Sequence, residues 1–162
     1  MRSAFLAALI AAPLATHPAC AQEPEAALVR VGKAARVLVV EDAAGRALLT
    51  ISGIQLGEPT GAKRFQGDRR TPEGRYLIDR GNEGSAYWLS LHISYPNAAD
   101  RAYAAGWGRS AGGDIFIHGQ PNSIQNGRVA GDWTDGCIAV SNKEIERLWA
   151  LVPDGTPIEI AP

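Results

Sequence analysis

Short apolar runs separated by turns make up most of the chain from residue 27 onward. Some runs, such as Leu89–Ile93, alternate apolar and polar residues, which is typical of a strand with one buried face. Glycine and proline supply turn geometry between the runs, and the first two runs flank a predicted hairpin turn at 41–45. The pattern predicts strands at 36–40, 47–51, 75–79, 89–93, 114–118, 136–140 and 157–160.

Two helices are also predicted, both short. Ser141 and Glu144 have the spacing of a capping box, in which each side chain accepts a hydrogen bond from the other residue's backbone N–H. Ile145 and Leu148 then share one helical face. A second helix is predicted over residues 98–105. Six or seven strands with one or two short helices indicate a mainly β fold in a single domain.

The N-terminus has the three parts of a secretory signal peptide. These are a basic start at Arg2, an apolar run over Ala4–Ala12 and the small-residue triplet Ala19–Ala21. The apolar run is shorter than the roughly 20 residues that a membrane-spanning helix needs. We therefore expect export to the periplasm and no integral membrane segment in the mature chain.

Cleavage at the triplet divides the chain into a signal peptide (1–21), a lead segment (22–35) and one folded domain (36–162). Cys20 is then removed. Its lipidation is the less favoured alternative, because His17 stands where lipoproteins usually have leucine. The mature chain keeps Cys137 alone, which cannot form an intramolecular disulfide. Since exported proteins commonly pair their cysteines, a lone thiol is expected to be either buried or functional.

The charge of the chain argues against one class of partner. The sequence has 16 Lys and Arg residues against 17 Asp and Glu residues, and loss of Arg2 leaves a net charge near −2. A nearly neutral surface does not favour binding to nucleic acid. The sequence also has no glycine-rich pattern typical of a nucleotide site.

The candidate chemistry lies between residues 115 and 140. His118 is expected at the end of a strand, and Cys137 at the start of another. A histidine within reach can take the proton of a thiol, whose ordinary pKa is near 8.5, and so create a nucleophile. The alternative is a cysteine buried in the core and a histidine with a structural role. One cysteine with His92 and His118 makes a poor tetrahedral set, so no metal site is predicted.

The same segment resembles the active-site motif of the L,D-transpeptidases, the YkuD-domain enzymes of bacterial cell walls. The motif is His-Gly followed by Ser/Thr-x-Gly-Cys-Ile/Val, which Ile117–Gly119 and Thr134–Ile138 match. The resemblance covers roughly residues 36–160. Further similar segments are Gly67–Gly74, Leu91–Asn97 and Val152–Pro157.

The resemblance implies a β-sandwich-like fold, with the active site in a cleft under a loop, and peptidoglycan stem peptides as substrate. Cys137 is then expected to attack the carbonyl of the third stem residue, often diaminopimelate, and to expel D-alanine. His118 is expected to act as base and then as acid, with the carbonyl of Gly119 orienting its ring. Oxyanion donors are expected at the N–H groups of Asp135, Gly136 and Cys137. An amine of a second stem peptide, or of a protein, accepts the acyl group, with no metal or organic cofactor.

Two positions depart from the family pattern. Asp135 stands where many members have histidine, and its carboxylate disfavours the neighbouring thiolate. Ala139 stands where many members have an arginine that helps to hold substrate. The candidates to replace that charge are Arg70, Arg109 and Arg128, and the expected substrate contacts are Thr134, Arg70 and Trp133.

Three functions remain open from the sequence. The first is transpeptidation. The second uses water as acceptor, which gives an L,D-carboxypeptidase or an amidase that releases groups linked to diaminopimelate. The third is a catalytically inactive module that binds the cell wall.

Overall fold

The computed structural model describes residues 25–162, so the predicted signal peptide and Cys20 lie outside the described residues. The described chain is mainly β, as the sequence predicts, and has two helices. The helices are α1 (Ala98–Gly106) and α2 (Asn142–Leu151). The strands are β1 (Leu28–Gly32), β2 (Val37–Glu41), β3 (Ala47–Ser52), β4 (Gly74–Asn82), β5 (Ser90–Ile93), β6 (Ile115–His118), β7 (Ile138–Ala139) and β8 (Thr156–Ala161).

The strands form one sheet in the order β3-β2-β1-β8-β4-β5-β6-β7. Pairing is parallel between β1 and β8 and between β6 and β7, and antiparallel elsewhere. The chain leaving β3 returns to the opposite edge, where Gln55 and Ala139 exchange two backbone hydrogen bonds of 2.9 and 2.8 Å. The sandwich-like arrangement is therefore a single curled sheet whose edges meet.

Strand β1 lies within the segment 22–35 that the sequence pattern assigns to a lead. Val29 and Val31 are fully or almost fully buried, and β1 pairs with both β2 and β8. The sheet thus begins at Leu28 rather than at residue 36. The alternation Val29-Arg30-Val31 is too short to predict a strand by itself, and the parallel partner that stabilises β1 is distant in sequence.

Both predicted helices are present, and each begins with a capping box. Ser141 caps α2, with Glu144 reaching back to the Ser141 N–H at 2.7 Å, and Asn97 caps α1. Ile145 and Leu148 are completely buried against the sheet. Within residues 25–162, neither helix is long and apolar enough to cross a membrane.

Candidate active site

The pairing of β6 with β7 brings the two candidate catalytic residues to one face of the sheet. In this parallel pair Ile117 is opposite Ile138 and His118 is opposite Ala139. Cys137, one residue before β7, is therefore level with Phe116. Because side chains alternate along a strand, Phe116 and His118 project from the same face. The Phe116 N–H lies 3.4 Å from the Cys137 sulfur, as this register requires.

His118 and Cys137 line one cavity of about 290 Å³. The floor comes from the ends of β4, β5 and β6, and one wall comes from the loop joining β4 to β5. The remaining lining residues are Asn82, Gly84, Ser85, Ala86, Tyr87, Ser90, Asp114 and Phe116. A loop thus covers the cavity that the thiol and the imidazole both line.

A backbone hydrogen bond determines the tautomer of His118. Its Nδ1 lies 2.7 Å from the carbonyl oxygen of Gly119, which can only accept, so Nδ1 carries the hydrogen. The neutral ring then has its lone pair on Nε2. No residue with a side chain fits at position 119, because an added Cβ would lie 2.8–2.9 Å from Trp88, Asn142 and the Tyr87 carbonyl oxygen.

Aromatic rings surround the His118 imidazole. The Tyr87 ring centroid lies 4.6 Å away and the Trp133 centroid 5.6 Å away. His118 is 3% exposed, and burial lowers its pKa, although the hydrogen bond to Gly119 acts in the opposite direction. The imidazole is therefore neutral at pH 7 and able to accept a proton.

The Cys137 thiol is held in its protonated form. Burial raises its pKa to about 11, with the Asp135 and Asp114 carboxylates adding to the rise and the Phe116 N–H and Lys63 opposing it. The sulfur also lies 3.6 Å from the Asp114 carbonyl oxygen, to which the thiol donates. The resting pair is thus a neutral thiol and a neutral imidazole.

A tight turn at residues 134–137 positions the thiol. The buried Thr134 hydroxyl donates to the Cys137 carbonyl at 2.7 Å and accepts from the Gly136 N–H at 3.3 Å. Gly136 has a φ of +121°, and an added Cβ would lie 2.6 Å from the Arg70 carbonyl oxygen. Thr134 therefore holds the turn and does not line the cavity.

The three predicted oxyanion donors differ in whether their N–H groups already have an acceptor. The Gly136 N–H is directed to Thr134, whereas the Asp135 and Cys137 N–H groups have no acceptor within residues 25–162. The Asp135 side chain is 90% exposed and pairs with Arg69 Nε at 3.2 Å. Solvent and Arg69 both weaken its field at the sulfur, so its effect on the thiol is secondary to burial.

The three arginines considered from the sequence all lie outside the cavity. The Arg70 guanidinium lies beside Gly61, and Arg109 stacks on Phe65 with its Cζ 3.9 Å from the ring centroid. Arg128 binds Glu144 at 2.5 Å. Trp133, in contrast, packs beside His118.

Sequence patterns gave no signal for several residues that shape the cavity. Tyr87 comes from the β4–β5 loop, and Asn122 fixes that loop by accepting from the Trp88 N–H at 2.7 Å and donating to the Ser85 carbonyl at 3.0 Å. Arg80 lies near one lining residue, with its Cζ 5.9 Å from the Phe116 ring centroid. These contacts join segments far apart in sequence, so no local motif marks them.

In the part of the chain that the structure describes, no group of three or more His, Cys, Asp or Glu side chains could hold a metal ion. The cavity itself is lined by the Cys137 thiol and the His118 imidazole.

Residues 26–160 match the family model of the YkuD L,D-transpeptidase catalytic domain. The chain belongs to the L,D-transpeptidase family. The match includes His118 and Cys137, and it begins upstream of residue 36, in agreement with the position of β1.

Among curated relatives, YafK of Escherichia coli K12, a candidate L,D-transpeptidase, is 33% identical over 94 residues. These cover 57% of this chain and 32% of YafK, so the chain spans about a third of the length of the curated relatives it matches.

Solved structures show the same fold. Pgp2 of Campylobacter jejuni, a helical cell shape determining protein, superposes with a TM-score of 0.69 at 30% identity, covering 85% of this chain and 48% of Pgp2. An L,D-transpeptidase from Xylanimonas cellulosilytica has a TM-score of 0.56 at 18% identity, covering 90% of this chain and 64% of that one, a likeness of fold alone.

Proposed function

We propose that this L,D-transpeptidase-family protein is a periplasmic cysteine acyltransferase acting on peptidoglycan stem peptides. The observation that carries the proposal is the hydrogen bond from His118 Nδ1 to Gly119. It leaves Nε2 as a base in the cavity that also contains the Cys137 thiol. Because the pKa of the imidazole is lowered and that of the thiol is raised, the resting pair is neutral rather than a preformed ion pair, and the proton has to move as the sulfur attacks.

In the acylation half-reaction, the thiol turns from the Asp114 carbonyl towards His118, and Nε2 takes its proton. The sulfur forms a bond to the carbonyl carbon of the third stem residue. The resulting oxyanion accepts hydrogen bonds from the N–H groups of Asp135 and Cys137. The C–N bond then breaks, the imidazolium returns the proton to the amine of D-alanine, and a thioester on Cys137 remains.

In the second half-reaction, an amine of another stem peptide or of a protein attacks the thioester. His118 accepts the proton of that amine, the C–S bond breaks, and the sulfur recovers the proton from Nε2. The product is a new amide, and the protein returns to its starting state without a metal or organic cofactor.

The test is incubation of the purified protein with muropeptides that carry a tetrapeptide stem, with products identified by mass spectrometry. Wild-type protein is expected to release D-alanine and form crosslinked dimers, and Cys137→Ala is expected to do neither. Unchanged muropeptides with the wild type, or equal turnover by Cys137→Ala, contradict the proposal.

Hydrolysis of the same thioester is a second candidate. Asp135 and Ala139 favour it, because they depart from the family pattern beside the thiol and the contacts to donor and acceptor can therefore differ. Trimmed monomers without dimers in the same incubation identify this reaction. A wall-binding module without activity predicts retention on sacculi and no change in any muropeptide.

A further inference from the structure

One row of side chains crosses the sheet and ends at the nucleophile. Arg80 on β4 pairs with His92 on β5, and His92 pairs with Phe116 on β6. Phe116 is level with Cys137 and contacts its sulfur through the backbone N–H. Directly paired residues project from the same face, so all four side chains share the face that bears the cavity. Asn82, two residues along β4 from Arg80, lines that cavity.

The Arg80 guanidinium lies over this row and forms one ion pair, with the neighbouring Asp79, through Nη1. Within residues 25–162, the Asp79 carboxylate is 3.8 Å away, beyond a hydrogen bond. The remaining polar neighbour is His92 Nδ1, at 3.1 Å from Arg80 Nη1.

His92 cannot accept a hydrogen bond from Arg80, because Asp79 already occupies the same ring nitrogen. The Asp79 Oδ1 lies 2.5 Å from His92 Nδ1. An ionised carboxylate only accepts, so Nδ1 must carry the hydrogen and donate it to Asp79. Its lone pair is then unavailable to Arg80. Asp79 thus hydrogen-bonds to His92 and forms a longer ion pair with Arg80 Nη1. The Nε and Nη2 donors of Arg80 have no partner within residues 25–162, and the side chain is 53% exposed.

We infer that Arg80 binds the carboxylate at the far end of the side chain of the acylated stem residue, as diaminopimelate carries, and so selects stem peptides with that charge. This inference rests on the proposed function. Arginine presents a planar fork of donors that matches a carboxylate in two parallel hydrogen bonds.

The position of the Arg80 guanidinium determines which carboxylate of the stem peptide it can contact. Three interstrand spacings separate the Cα atoms of Arg80 and Cys137 by about 14 Å. The guanidinium leans back over Phe116, the residue beside Cys137, with Cζ 5.9 Å from the ring centroid. A carboxylate at the end of a long side chain spans the remaining gap from the scissile carbonyl. The carboxylate of the departing D-alanine is only a few bonds from that carbonyl and stays close to Cys137.

The test compares two tetrapeptide substrates that differ only at diaminopimelate. In one its distal carboxylate is free, and in the other that carboxylate is amidated. For the free carboxylate, Arg80→Gln is expected to raise KM by about 10- to 30-fold with little change in kcat, the size of one charge-assisted pair. For the amidated peptide, wild type and Arg80→Gln are expected to have equal KM. Arg80→Lys is expected to recover part of the loss.

Arg147→Gln on α2 is the matched control, since Arg147 is an exposed arginine outside the row, and its kinetics are expected to equal those of the wild type. Circular dichroism establishes that each variant is folded. An equal loss on both peptides for a folded Arg80→Gln variant, or no loss on either, overturns the inference while the proposed function stands.

Binding distinguishes failure of the inference from failure of the proposed function. If the wild type turns over neither peptide, the proposed function fails. In that case, calorimetry that measures binding of each peptide to Cys137→Ala still tests the role of Arg80 in binding. Tighter binding of the free-carboxylate peptide, lost in the Cys137→Ala/Arg80→Gln double variant, supports the inference, and equal binding of both peptides overturns it.

Discussion

Cys137 is a thiol that the fold keeps protonated until substrate arrives. Burial is the main reason, because it removes the water that would solvate a thiolate. Nearby carboxylates act in the same direction, and the backbone N–H of Phe116 is the main opposing contact. A protein with such a thiol resists unspecific oxidation and alkylation, since the thiolate is the reactive form.

Titration of the thiolate's ultraviolet absorbance tests this description, with Cys137→Ala as the blank. The thiol pKa of about 11 predicts almost no thiolate at pH 7 and a midpoint in the strongly alkaline range. Asp135→Asn removes a negative neighbour, which favours the thiolate and moves the midpoint to lower pH. Asp154→Asn, on the turn before β8, is the control and is expected to leave the midpoint unchanged. A wild-type midpoint below pH 8 would mean a preformed thiolate–imidazolium pair.

At the scale of elements, features that depend on residues close together in sequence are predictable, whereas features that depend on pairing between distant strands are not. The α2 capping box was predicted from Ser141 and Glu144, because both hydrogen bonds lie within four residues. The strands with clear alternation were predicted for the same reason. Arg80 and the burial of β1 could not be predicted, since each depends on strands that come together only in the folded sheet.

The sequence predicts that His118 and Cys137 lie at strand ends, and the family resemblance implies a covering loop, but neither identifies the β4–β5 loop as that cover. The β4–β5 loop has no distinctive motif, and it is held by Asn122 from the loop after β6. Such a contact between two loops has no sequence period from which it could be predicted.

Removal of the Asn122 side chain tests the role of this contact. Asn122→Ala loses two hydrogen bonds to the β4–β5 loop and is expected to lower the free energy of unfolding by about 1–2 kcal/mol. Because the same loop supplies Tyr87 to the His118 ring, kcat/KM is expected to fall by about tenfold through loss of positioning. Ser123→Ala, at the exposed next position, is the control. Wild-type kinetics and stability in Asn122→Ala would show that the loop is fixed by other contacts.

At the scale of the whole molecule, the sheet depends on strands from both ends of the described chain. β1 and β8 lie side by side in its interior, and β8 also pairs with β4, which leads to the cavity. Curling brings the segment after β3 against β7, close in sequence to Cys137. The position of His118 and Cys137 is therefore a property of the complete sheet.

Two truncations test this dependence. A chain beginning at residue 36 lacks β1 and is expected to be unfolded, because β2 and β8 lose a shared partner and the buried side chains of Val29 and Val31. A chain beginning at residue 25 retains every described strand and is expected to unfold cooperatively. Thermal melts followed by circular dichroism compare the two. A cooperative melt of the shorter chain would contradict the role given to β1.

The central claim is that Cys137 forms an acyl-enzyme with the first three residues of a stem tetrapeptide. The most direct measurement is the intact mass of the protein, recorded within seconds of mixing with a diaminopimelate tetrapeptide and quenching in acid. We predict an added mass equal to the tripeptide acyl group, located on Cys137 by peptide mapping, with release of one D-alanine and with no adduct on Cys137→Ala. An unmodified protein mass together with intact tetrapeptide, or an adduct on another residue, would contradict the account.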